Sequence, residues 1–479
     1  MIEKRSFYIN GKWVSPLDGK EHQVIDPSRE EPCAVILLGG QADTDAAVTA
    51  ARAALPGWMA TQPQERLRLL ERLIDIYRKR GEDLAQAIST EMGAPIELSR
   101  RSQVAAGLFH LTNYLRAAQG FAFDEPLGDW APDDRILHEA IGVTALITPW
   151  NWPMNQITLK VGAAVVAGCT MVLKPSEESP LSALVFAECM HEAGFPPGVF
   201  NLVNGDGAGV GTQLAEHPDV DMVSFTGSTR AGRDICRNAA QSLKKVHLEL
   251  GGKGANLIFA DADQEAVKRG VCDVMSNSGQ SCSAPTRMLV QRDIYDGAVE
   301  SAGLLAGAVA VGSAHEGGNH IGPVVNERQW DRIQHLIQAG IDEGARLVTG
   351  GTGRPEGLNK GYFVRPTVFA DVTNDMTIAR EEIFGPVLSI LPFETEEEAL
   401  SIANDTDYGL TNYVQTQDPE RARRLARGLR SGMVEMNGYD RAPGAPFGGM
   451  KHSGTGREGG VWGIREFLEV KSVSGWPRG

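Results

Sequence analysis

The sequence is poor in cysteine, and its cysteines show no sign of a disulfide framework. Six occur in 479 residues, and no two of them form a Cys-x-x-Cys pair. They stand at Cys33, Cys169, Cys189, Cys236, Cys272 and Cys282. Scattered thiols are typical of a reducing, cytosol-like compartment, so we expect a cytoplasmic protein. A chain of this length can bury large cores and needs neither disulfides nor a metal to fold.

The sequence also lacks an excess of positive charge. It has 46 lysines and arginines against 61 aspartates and glutamates, which gives a net charge of −15 at pH 7. An acidic surface repels phosphate backbones and anionic lipids. Nucleic acids and membrane surfaces are therefore not expected partners.

Long apolar runs are absent as well. The longest uncharged, mostly apolar run is Val161–Leu173, which is 13 residues long. A helix that crosses a membrane needs about 20 such residues. The first residues, from Met1 to Phe7, contain no apolar signal core. We therefore expect neither a membrane anchor nor secretion.

What the chain does contain is a regular alternation of short apolar segments and helical patterns. Between residues 143 and 259 the alternation predicts a parallel sheet that is covered on both faces. The predicted strands are Val143–Ile147, Thr170–Leu173, Val199–Val203, Met222–Phe225 and His247–Leu250, with helices near 154–167, 180–193, 208–216 and 229–241. A second alternating segment runs from about residue 255 to 442, so the expected fold class is α/β.

The first 140 residues have a different pattern. Phe7–Val14 has two short apolar segments around Asn-Gly, which is typical of a hairpin. A helix is predicted from Asp43 to about Leu55, where Pro56 should end it. Further helices are predicted from residue 64 to about 118.

Residues 120–138 stand apart, because prolines and a glycine lie there among acidic and aromatic residues. Residues 135–143 have the pattern of an extended strand, and Glu469–Val473 that of a lone strand near the C-terminus. A lone strand needs a partner, which is either the 135–143 strand or another subunit. The segment 120–138 is therefore either a surface loop or an oligomerisation arm.

Three segments that follow predicted strands have features of a nucleotide site. In Phe225–Ser228 a strand ends, one glycine turns the chain and a helix begins; free N–H groups at a helix start favour a phosphate, although a plain turn is an equal alternative. The stretch Gly205–Gly211 is glycine-rich but does not satisfy GxGxxG. In Lys174–Glu177 the acid can accept hydrogen bonds from a ribose 2′-hydroxyl and would repel a 2′-phosphate, unless it is simply a solvated loop charge.

Three further residues have the chemistry of a covalent catalytic site. Asn151 stands between two tryptophans and two prolines, where a rigid amide can donate to an oxyanion; a structural turn is the alternative. Glu249 is an acid on an apolar strand, where burial would raise its pKa into the range of a general base, unless it forms a buried salt bridge with Lys253. Cys282 lies in a polar, glycine-containing loop that suits a nucleophile, although a lone cysteine is usually structural.

Taken together and in order, these segments resemble the aldehyde dehydrogenase superfamily, whose members oxidise aldehydes to acids with NAD(P). The resemblance extends from about residue 149 to 458. It rests on Pro149-Trp150-Asn151-Trp152-Pro153, Lys174-Pro175-Ser176-Glu177, Phe225-Thr226-Gly227-Ser228, Glu249-Leu250-Gly251-Gly252-Lys253, Gly279-Gln280-Ser281-Cys282, Glu382-Ile383-Phe384-Gly385-Pro386, and Pro446-Phe447-Gly448-Gly449 with Ser453-Gly454-Thr455-Gly456-Arg457-Glu458. Seven motifs in the correct order are a specific signal.

The resemblance implies a three-part architecture. Residues 1–119 and 139–250 are expected to form a Rossmann-like NAD-binding domain. Residues 251–452 are expected to form an α/β catalytic domain. Residues 120–138 and 463–479 are expected to form a small β oligomerisation arm, so the resemblance implies a homodimer or homotetramer.

The resemblance also implies the chemistry. Cys282 is expected to attack the aldehyde, Asn151 to hold the oxyanion with the Cys282 N–H, and Glu249 to activate the water that hydrolyses the thioester. The implied cofactor is NAD, with NADP disfavoured by Glu177; no metal is implied, and the expected partner is a small-molecule aldehyde. The implied cofactor-binding residues are Ile147, Thr148, Pro149, Trp150, Lys174, Ser176, Glu177, Gly207, Gly211, Phe225, Thr226, Gly227, Ser228, Leu250, Glu382 and Phe384.

Other functions stay open at this point. A CoA-acylating semialdehyde dehydrogenase usually lacks an acid at the position of Glu249, so hydrolysis is favoured. A papain-like hydrolase needs a histidine, and His247 shares the strand face of Glu249; a structural scaffold is a further alternative. The substrate is not predicted, although Arg441, Arg100 or Arg101 is a candidate to pair with a substrate carboxylate, with solvated arginines as the favoured alternative.

Overall fold

The computed structural model of the chain describes residues 1–477, so the last two residues of the predicted arm segment 463–479 lie outside the described residues. The strands are β1 (Ile2–Lys4), β2 (Phe7–Ile9), β3 (Lys12–Val14), β4 (Lys20–Asp26), β5 (Glu31–Leu38), β6 (Asp124–Pro126), β7 (Asp134–Ala140), β8 (Val143–Ile147), β9 (Thr170–Lys174), β10 (Phe200–Leu202), β11 (Met222–Thr226), β12 (Lys245–Glu249), β13 (Ala255–Ile258), β14 (Arg287–Gln291), β15 (Arg346–Thr349), β16 (Thr367–Ala370), β17 (Val387–Phe393), β18 (Thr411–Gln415), β19 (Met433–Met436), β20 (Gly454–Thr455) and β21 (Leu468–Ser474).

Helices connect most of these strands. The α-helices are α1 (Gln41–Met59), α2 (Pro63–Lys79), α3 (Gly81–Met92), α4 (Ile96–Leu98), α5 (Val104–Gln119), α6 (Pro153–Ala167), α7 (Pro180–Ala193), α8 (Thr212–Glu216), α9 (Thr229–Ala239), α10 (Ala266–Met275), α11 (Tyr295–Gly307), α12 (Glu327–Asp342), α13 (Thr377–Arg380), α14 (Glu396–Asn404), α15 (Pro419–Gly428) and α16 (Gly460–Glu466). Short π-helical turns occur at Ser99–Gln103 and Gly207–Gly211.

The larger sheet has eight strands in the order β20-β12-β11-β8-β9-β10-β2-β3. Its middle strands run parallel, with Val143 opposite Thr170, and α6, α7 and α9 connect consecutive ones. In β8, Ala145 and Ile147 pack in one hydrophobic cluster and Leu146 packs in the other. Both faces of the sheet are therefore covered, which confirms the predicted α/β class.

A second sheet of seven strands follows in the chain. Its order is β15-β16-β17-β14-β13-β18-β19, and all neighbours are parallel except β15 and β16. Leu257 and Ile258 on β13 point to opposite faces and pack in separate hydrophobic clusters. The alternation seen in the sequence between residues 255 and 442 therefore builds a second covered sheet.

A small sheet of three strands, in the order β21-β7-β6, stands apart from the two large sheets. β21 runs antiparallel to β7 along its whole length, from Leu468 opposite Ala140 to Ser474 opposite Asp134. The partner of the C-terminal strand is therefore the 134–140 strand of the same chain. Another three-stranded sheet, in the order β1-β5-β4, lies near the N-terminus.

Helix α1 is longer than predicted. It continues through Pro56 to Met59 instead of ending near Leu55. Proline removes a backbone donor, but Leu55 and Trp58 are both buried, and each such burial contributes about 2 kcal/mol. The apolar face therefore offsets the helix-breaking residue.

The carboxyl ends of β8, β9, β11 and β12 lie along the same edge of the larger sheet, because these strands are parallel and adjacent. Ligands bind at this edge in open α/β sheets. Within residues 1–477, none of the helices combines the length and the apolar character needed to cross a bilayer.

Candidate active site

The loop that carries Cys282 begins with a turn in left-handed backbone conformation. Asn277, Ser278 and Gly279 have φ angles of 50°, 57° and 75°. The two non-glycine residues are strained there, at a cost of about 1 kcal/mol each. Ser278 is held because its hydroxyl donates to the carbonyl of Gly322 (2.7 Å). At Gly279 a side chain would overlap the backbone of the 384–386 loop, so this position requires glycine.

Cys282 lies between two cavities. A larger cavity, of about 350 Å³, is lined partly by apolar residues such as Trp152, Leu159 and Phe447. A smaller cavity, of about 150 Å³, opens at the edge of the larger sheet. Cys282 and Gln156 belong to the lining of both. A molecule in one cavity and a molecule in the other would therefore both contact Cys282.

The side chain of Asn151 is held in a fixed direction beside Cys282. Its amide nitrogen donates to the carbonyl of Gln280 (3.0 Å). The backbone carbonyl of Asn151 accepts from the side-chain amides of Gln103 (3.1 Å) and Asn277 (3.0 Å). Because an amide has two hydrogens, the second remains available to a ligand. Asn277 was not predicted to belong to the site, and no local sequence pattern marks it.

Glu249 ends β12 and is buried, with 2% of its surface exposed. Among the described residues, neither carboxyl oxygen has a hydrogen-bond partner. Burial, together with the negative charge of Glu458, raises its pKa well above the ordinary value. The alternative of a salt bridge with Lys253 is wrong, since the ammonium of Lys253 also has no partner among the described residues.

A second buried acid, Glu458, accompanies Glu249. Its carboxylate lies 2.7 Å from the ammonium of Lys160, and both side chains are almost fully buried. The cation also opposes the rise in the pKa of Glu249. Lys160 was not predicted to belong to the site, although a lysine in the apolar helix α6 is unusual enough to mark it.

His247 does not pair with Cys282. Its Nδ1 lies 3.2 Å from the hydroxyl of Ser224, and its Nε2 lies 3.7 Å from a carboxyl oxygen of Glu249. Burial holds its pKa well below the ordinary value, so the ring is neutral. The cysteine–histidine arrangement that a papain-like hydrolase requires is therefore not formed by this residue.

The surroundings of Cys282 favour the protonated thiol. Burial, followed by the carboxylates of Glu382 and Glu249, raises the pKa of Cys282 to about 12, and the positive charge of Arg441 opposes this rise. A thiolate is the reactive form. The protein surroundings alone therefore disfavour the reactive form of Cys282.

Eight of the predicted cofactor residues line the smaller cavity. They are Pro149, Trp150, Thr226, Gly227, Ser228, Leu250, Glu382 and Phe384. The rings of Trp150 and Phe384 meet edge-on at 5.4 Å. The hydroxyl of Thr226 is buried and has no partner among the described residues, so it is free to bind a ligand. Ser228 caps α9, which leaves helix N–H groups near the cavity.

The other predicted cofactor residues lie at the adjoining strand ends. The ammonium of Lys174 donates to the carbonyl of Gly205 (2.7 Å) and lies 3.4 Å from the carboxylate of Glu177. A side chain at Gly211 would contact Lys174, whereas Gly207 faces open space. Thr148 and Ser176 are nearly buried in the loops after β8 and β9, and Ile147 and Phe225 pack in the core beneath the cavity.

These residues fit a dinucleotide. The edge of the sheet provides a helix start for phosphate, an acid for ribose and an aromatic pair beside Cys282. Two further lining residues, Gln329 and Arg332, come from α12 of the second sheet and were not predicted. No motif in the sequence marks them, since they join the site only through the tertiary fold.

Of the three arginines considered for a substrate carboxylate, Arg441 lines the larger cavity. Its guanidinium is 3.0 Å from the carboxylate of Glu435 and lies over the ring of Phe447. Arg100 is bound to acidic side chains on the surface. Arg101 lines a separate cavity of about 630 Å³ that does not include Cys282.

The chain is similar to aldehyde dehydrogenases over nearly its whole length. The family model described as the aldehyde dehydrogenase family matches residues 13–473. The 3-succinoylsemialdehyde-pyridine dehydrogenase of a Pseudomonas species is 49% identical over 478 residues, which are 99% of each chain.

Solved structures give the same result. An aldehyde dehydrogenase from Bartonella henselae has 59% identity and a TM-score of 0.99, covering 99% of this chain and 100% of that one. A cysteine-to-alanine variant of aldehyde dehydrogenase C from Pseudomonas syringae, in complex with NAD⁺ and octanal, has 49% identity and a TM-score of 0.97, covering 99% of this chain and 97% of that one.

Proposed function

The chain belongs to the aldehyde dehydrogenase family, and we propose that Cys282, Asn151 and Glu249 are its nucleophile, oxyanion donor and general base. It oxidises an aldehyde to the carboxylic acid with NAD as hydride acceptor. The observation that carries the residue assignment is the position of Cys282 in the lining of both cavities, beside the fixed amide of Asn151.

We assign NAD to the smaller cavity and the strand ends that adjoin it. The helix start at Ser228 would hold the pyrophosphate, and Lys174 and Glu177 would hold the adenosine ribose. Glu382 and Phe384 would hold the nicotinamide ribose and ring. When bound, NAD supplies the acceptor for the hydride that leaves the substrate carbon.

The chain's own residues perform the other steps. The Cys282 thiolate attacks the aldehyde carbon, and the carbonyl oxygen becomes an oxyanion. The free amide hydrogen of Asn151 and the backbone N–H of Cys282 donate to that oxyanion. Oxidation of this adduct leaves a thioester on Cys282.

Glu249 completes the reaction by hydrolysis. Burial, together with the negative charge of Glu458, raises the pKa of Glu249, and a carboxylate with a raised pKa is a stronger base toward water. The hydroxide attacks the thioester, and the thiol of Cys282 is released with the acid. Cys282 lines both cavities, whereas Glu249 is not among the described residues that line either, so the side chain of Glu249 has to turn toward Cys282 for this step.

The domain division is also part of the proposal. Residues 1–119 and 139–250 form the NAD-binding domain, residues 251–452 the catalytic domain, and residues 120–138 with 463–479 the oligomerisation arm. Support comes from the sheets that these segments build: β1-β5-β4 and the eight-stranded sheet come mainly from the first domain, the seven-stranded sheet from the second and β21-β7-β6 from the arm. Val470, at 67% exposure, and Trp130, at 79%, lie on the arm, and exposed apolar side chains favour a dimer or tetramer. We assign the enzyme to the cytoplasm.

The function is tested with a panel of aldehydes, each assayed with NAD and with NADP, and each with and without CoA. NADH formation with NAD, with the free acid as product, is the expected result. Acyl-CoA as the main product would reverse the assignment of hydrolysis to Glu249. Absence of NADH or NADPH with every aldehyde would overturn the function itself.

A further inference from the structure

The charges in the larger cavity bear on the substrate. Among the described residues that line it, Arg441 is the one cation, because His110 is neutral: burial lowers its pKa to about 4. Two carboxylates, Glu435 and Asp440, also belong to the lining. A third acid, Asp273, is close enough to raise the pKa of Glu435. The lining is therefore net negative.

Arg441 is already paired with an acid. Glu435 binds its guanidinium at 3.0 Å, and Phe447 covers it with a ring centroid at 4.7 Å. Because Glu435 holds Nε of Arg441, a substrate carboxylate on this guanidinium would lie beside the carboxylate of Glu435, with Asp440 in the same lining. Such a placement costs free energy, because like charges repel.

We propose that the substrate is an uncharged aldehyde with a hydrocarbon or aromatic body, and that Glu435 and Asp440 select against aldehydes that carry a second carboxylate. Phe109, Trp152 and Leu159 supply the apolar wall that such a body contacts. This inference rests on the proposed function, because it assigns the larger cavity to the substrate.

The test compares butanal with succinic semialdehyde, which have the same number of carbons and differ in one carboxylate. The wild-type kcat/KM should favour butanal by about tenfold or more. In Glu435→Gln the semialdehyde should gain at least about threefold, because Arg441 is released, while butanal changes little. Arg441→Gln should widen the preference for butanal, and Arg100→Gln is the surface control.

Two results would overturn the inference: a wild-type preference for the semialdehyde that disappears in Arg441→Gln, or an unchanged ratio in Glu435→Gln. Failure of the proposed function is distinguishable, since neither aldehyde would then yield NADH.

A separate observation concerns His247, which the proposed reaction does not use. Its Nε2 has no hydrogen-bond partner among the described residues, and the same is true of both carboxyl oxygens of Glu249. Nε2 of His247 lies 3.7 Å from Oε1 of Glu249. The side chain of His247 is 1% exposed and that of Glu249 is 2% exposed. Ser224 lies behind the ring, 3.2 Å from Nδ1. Two buried unsatisfied polar groups this close point to a shared role.

We infer that His247 is a positioning residue that docks the carboxyl group of Glu249 in its buried position. Glu249 donates its O–H to Nε2 there, and the Nδ1–H of the neutral ring donates to the Ser224 hydroxyl. The two atoms are 3.7 Å apart, and a rotation of the Glu249 carboxyl would bring them within hydrogen-bond distance. Glu249 is then in equilibrium between two states: a protonated acid docked on His247, and a carboxylate that is turned toward Cys282.

This arrangement predicts a pH effect. Loss of the acceptor Nε2 destabilises the docked acid, so Glu249 gives up its proton at lower pH and the acidic limb of kcat moves down. The other charged groups that act on this pair are Lys160, Lys245, Arg457, Glu458 and Glu466. They remain in place in a His247 variant, so the shift reports His247.

The experiment measures kcat against pH, with the NADH burst, in wild type, His247→Leu and His247→Gln. His247→Leu should lower the acidic-limb pKa by about half a unit or more, which corresponds to one net hydrogen bond. His247→Gln keeps an acceptor and should restore the wild-type limb. Ser224→Ala should give a smaller shift in the same direction.

An unchanged or raised limb in His247→Leu would overturn the inference. So would His247→Gln with the same shift as His247→Leu, since that result indicates a packing effect. If His247→Leu does not fold, the acidic-limb pKa of Ser224→Ala is the deciding measurement. A lower pKa than in wild type supports docking, and an unchanged pKa overturns it.

Discussion

Single residues set the direction of the groups that would react. The amide of Asn151 is oriented by the carbonyl of Gln280, and its own backbone carbonyl is held by Gln103 and Asn277. The amide therefore needs no reorganisation when an oxyanion forms at Cys282. Preorganised donors of this kind are usually the largest single contribution to such catalysis.

Replacing Asn151 with alanine should lower kcat by about 10²–10³-fold, because one oxyanion donor is lost. The thermal midpoint should change little, since the backbone contacts of residue 151 remain. Asn155→Ala is the matched control: Asn155 lines the larger cavity and bonds His110 instead of Gln280. Turnover of Asn151→Ala close to that of the control would contradict the assignment.

After burial, the negative charge of Glu382 contributes most to the raised pKa of Cys282, and so it favours the protonated thiol. Removing that charge should make the thiolate more accessible. Iodoacetamide should therefore alkylate Cys282 roughly threefold faster at pH 8 in Glu382→Gln than in wild type, without cofactor present. Glu381→Gln, at the exposed neighbouring position, serves as control. Equal alkylation rates in all three proteins would contradict this account.

Sequence motifs marked Cys282, Asn151 and Glu249, because each residue type is chemically unusual in its local context. They did not mark Gln103 or Lys160, whose contribution depends on contacts across 48 and 298 residues of chain. Long-range contacts of this kind have no local signal, so the support around a site is harder to predict than the reacting groups.

At the scale of elements, the loop after β9 carries two adjacent acids that have different partners. Glu177 lies 3.4 Å from the ammonium of Lys174, at the edge assigned to the adenosine ribose. Glu178 points elsewhere and accepts from the amide of Asn326 (2.8 Å) at the start of α12. Of these neighbours in sequence, Glu178 contributes to the contact between the two sheets, and Glu177 is the one we propose to bind the cofactor.

This difference gives a cofactor prediction. Glu177→Gln should raise kcat/KM for NADP by about tenfold, because a carboxylate that repels the 2′-phosphate is removed. Glu178→Gln should leave the NADP value close to wild type. Parallel NAD and NADP titrations measure the ratio, and an equal gain in both variants would show that Glu177 does not read the ribose.

Periodicity predicted most elements well, because buried strands and amphipathic helices leave a clear pattern. It failed at α1, where burial of Leu55 and Trp58 outweighs the helix-breaking effect of Pro56. It also missed the left-handed turn at Asn277 and Ser278, since its stability comes from contacts with Asn151 and Gly322 rather than from the residues themselves.

At the scale of the whole molecule, the sheet β21-β7-β6 contributes no residue to the proposed active site, and it is the part that we propose as the oligomerisation arm. β21 covers β7, yet Val470 remains 67% exposed. We expect this surface to contact another subunit. Val470→Asp should lower the molar mass measured by light scattering to that of a smaller assembly. Glu469→Gln changes the opposite face of the strand and should leave the mass unchanged. An unaltered mass in Val470→Asp would contradict the role of the arm.

The site itself also belongs to the whole molecule. Cys282 and Glu382 come from the chain of the second sheet, while Asn151 and Glu249 come from strand ends of the first. Both cavities are completed by residues from both parts. The proposed chemistry therefore requires the two sheets to be packed together, and isolated halves are expected to be inactive.

The most direct test of the central claim uses Glu249→Gln, in which hydrolysis should stall after oxidation. Incubation with NAD and an uncharged aldehyde should release about one NADH per active site and leave one acyl group on the protein. Intact-mass and peptide mass spectrometry should place that acyl group on Cys282, and Cys282→Ala should show neither the burst nor the adduct. A burst without an adduct, or an adduct on any other residue, would contradict the account.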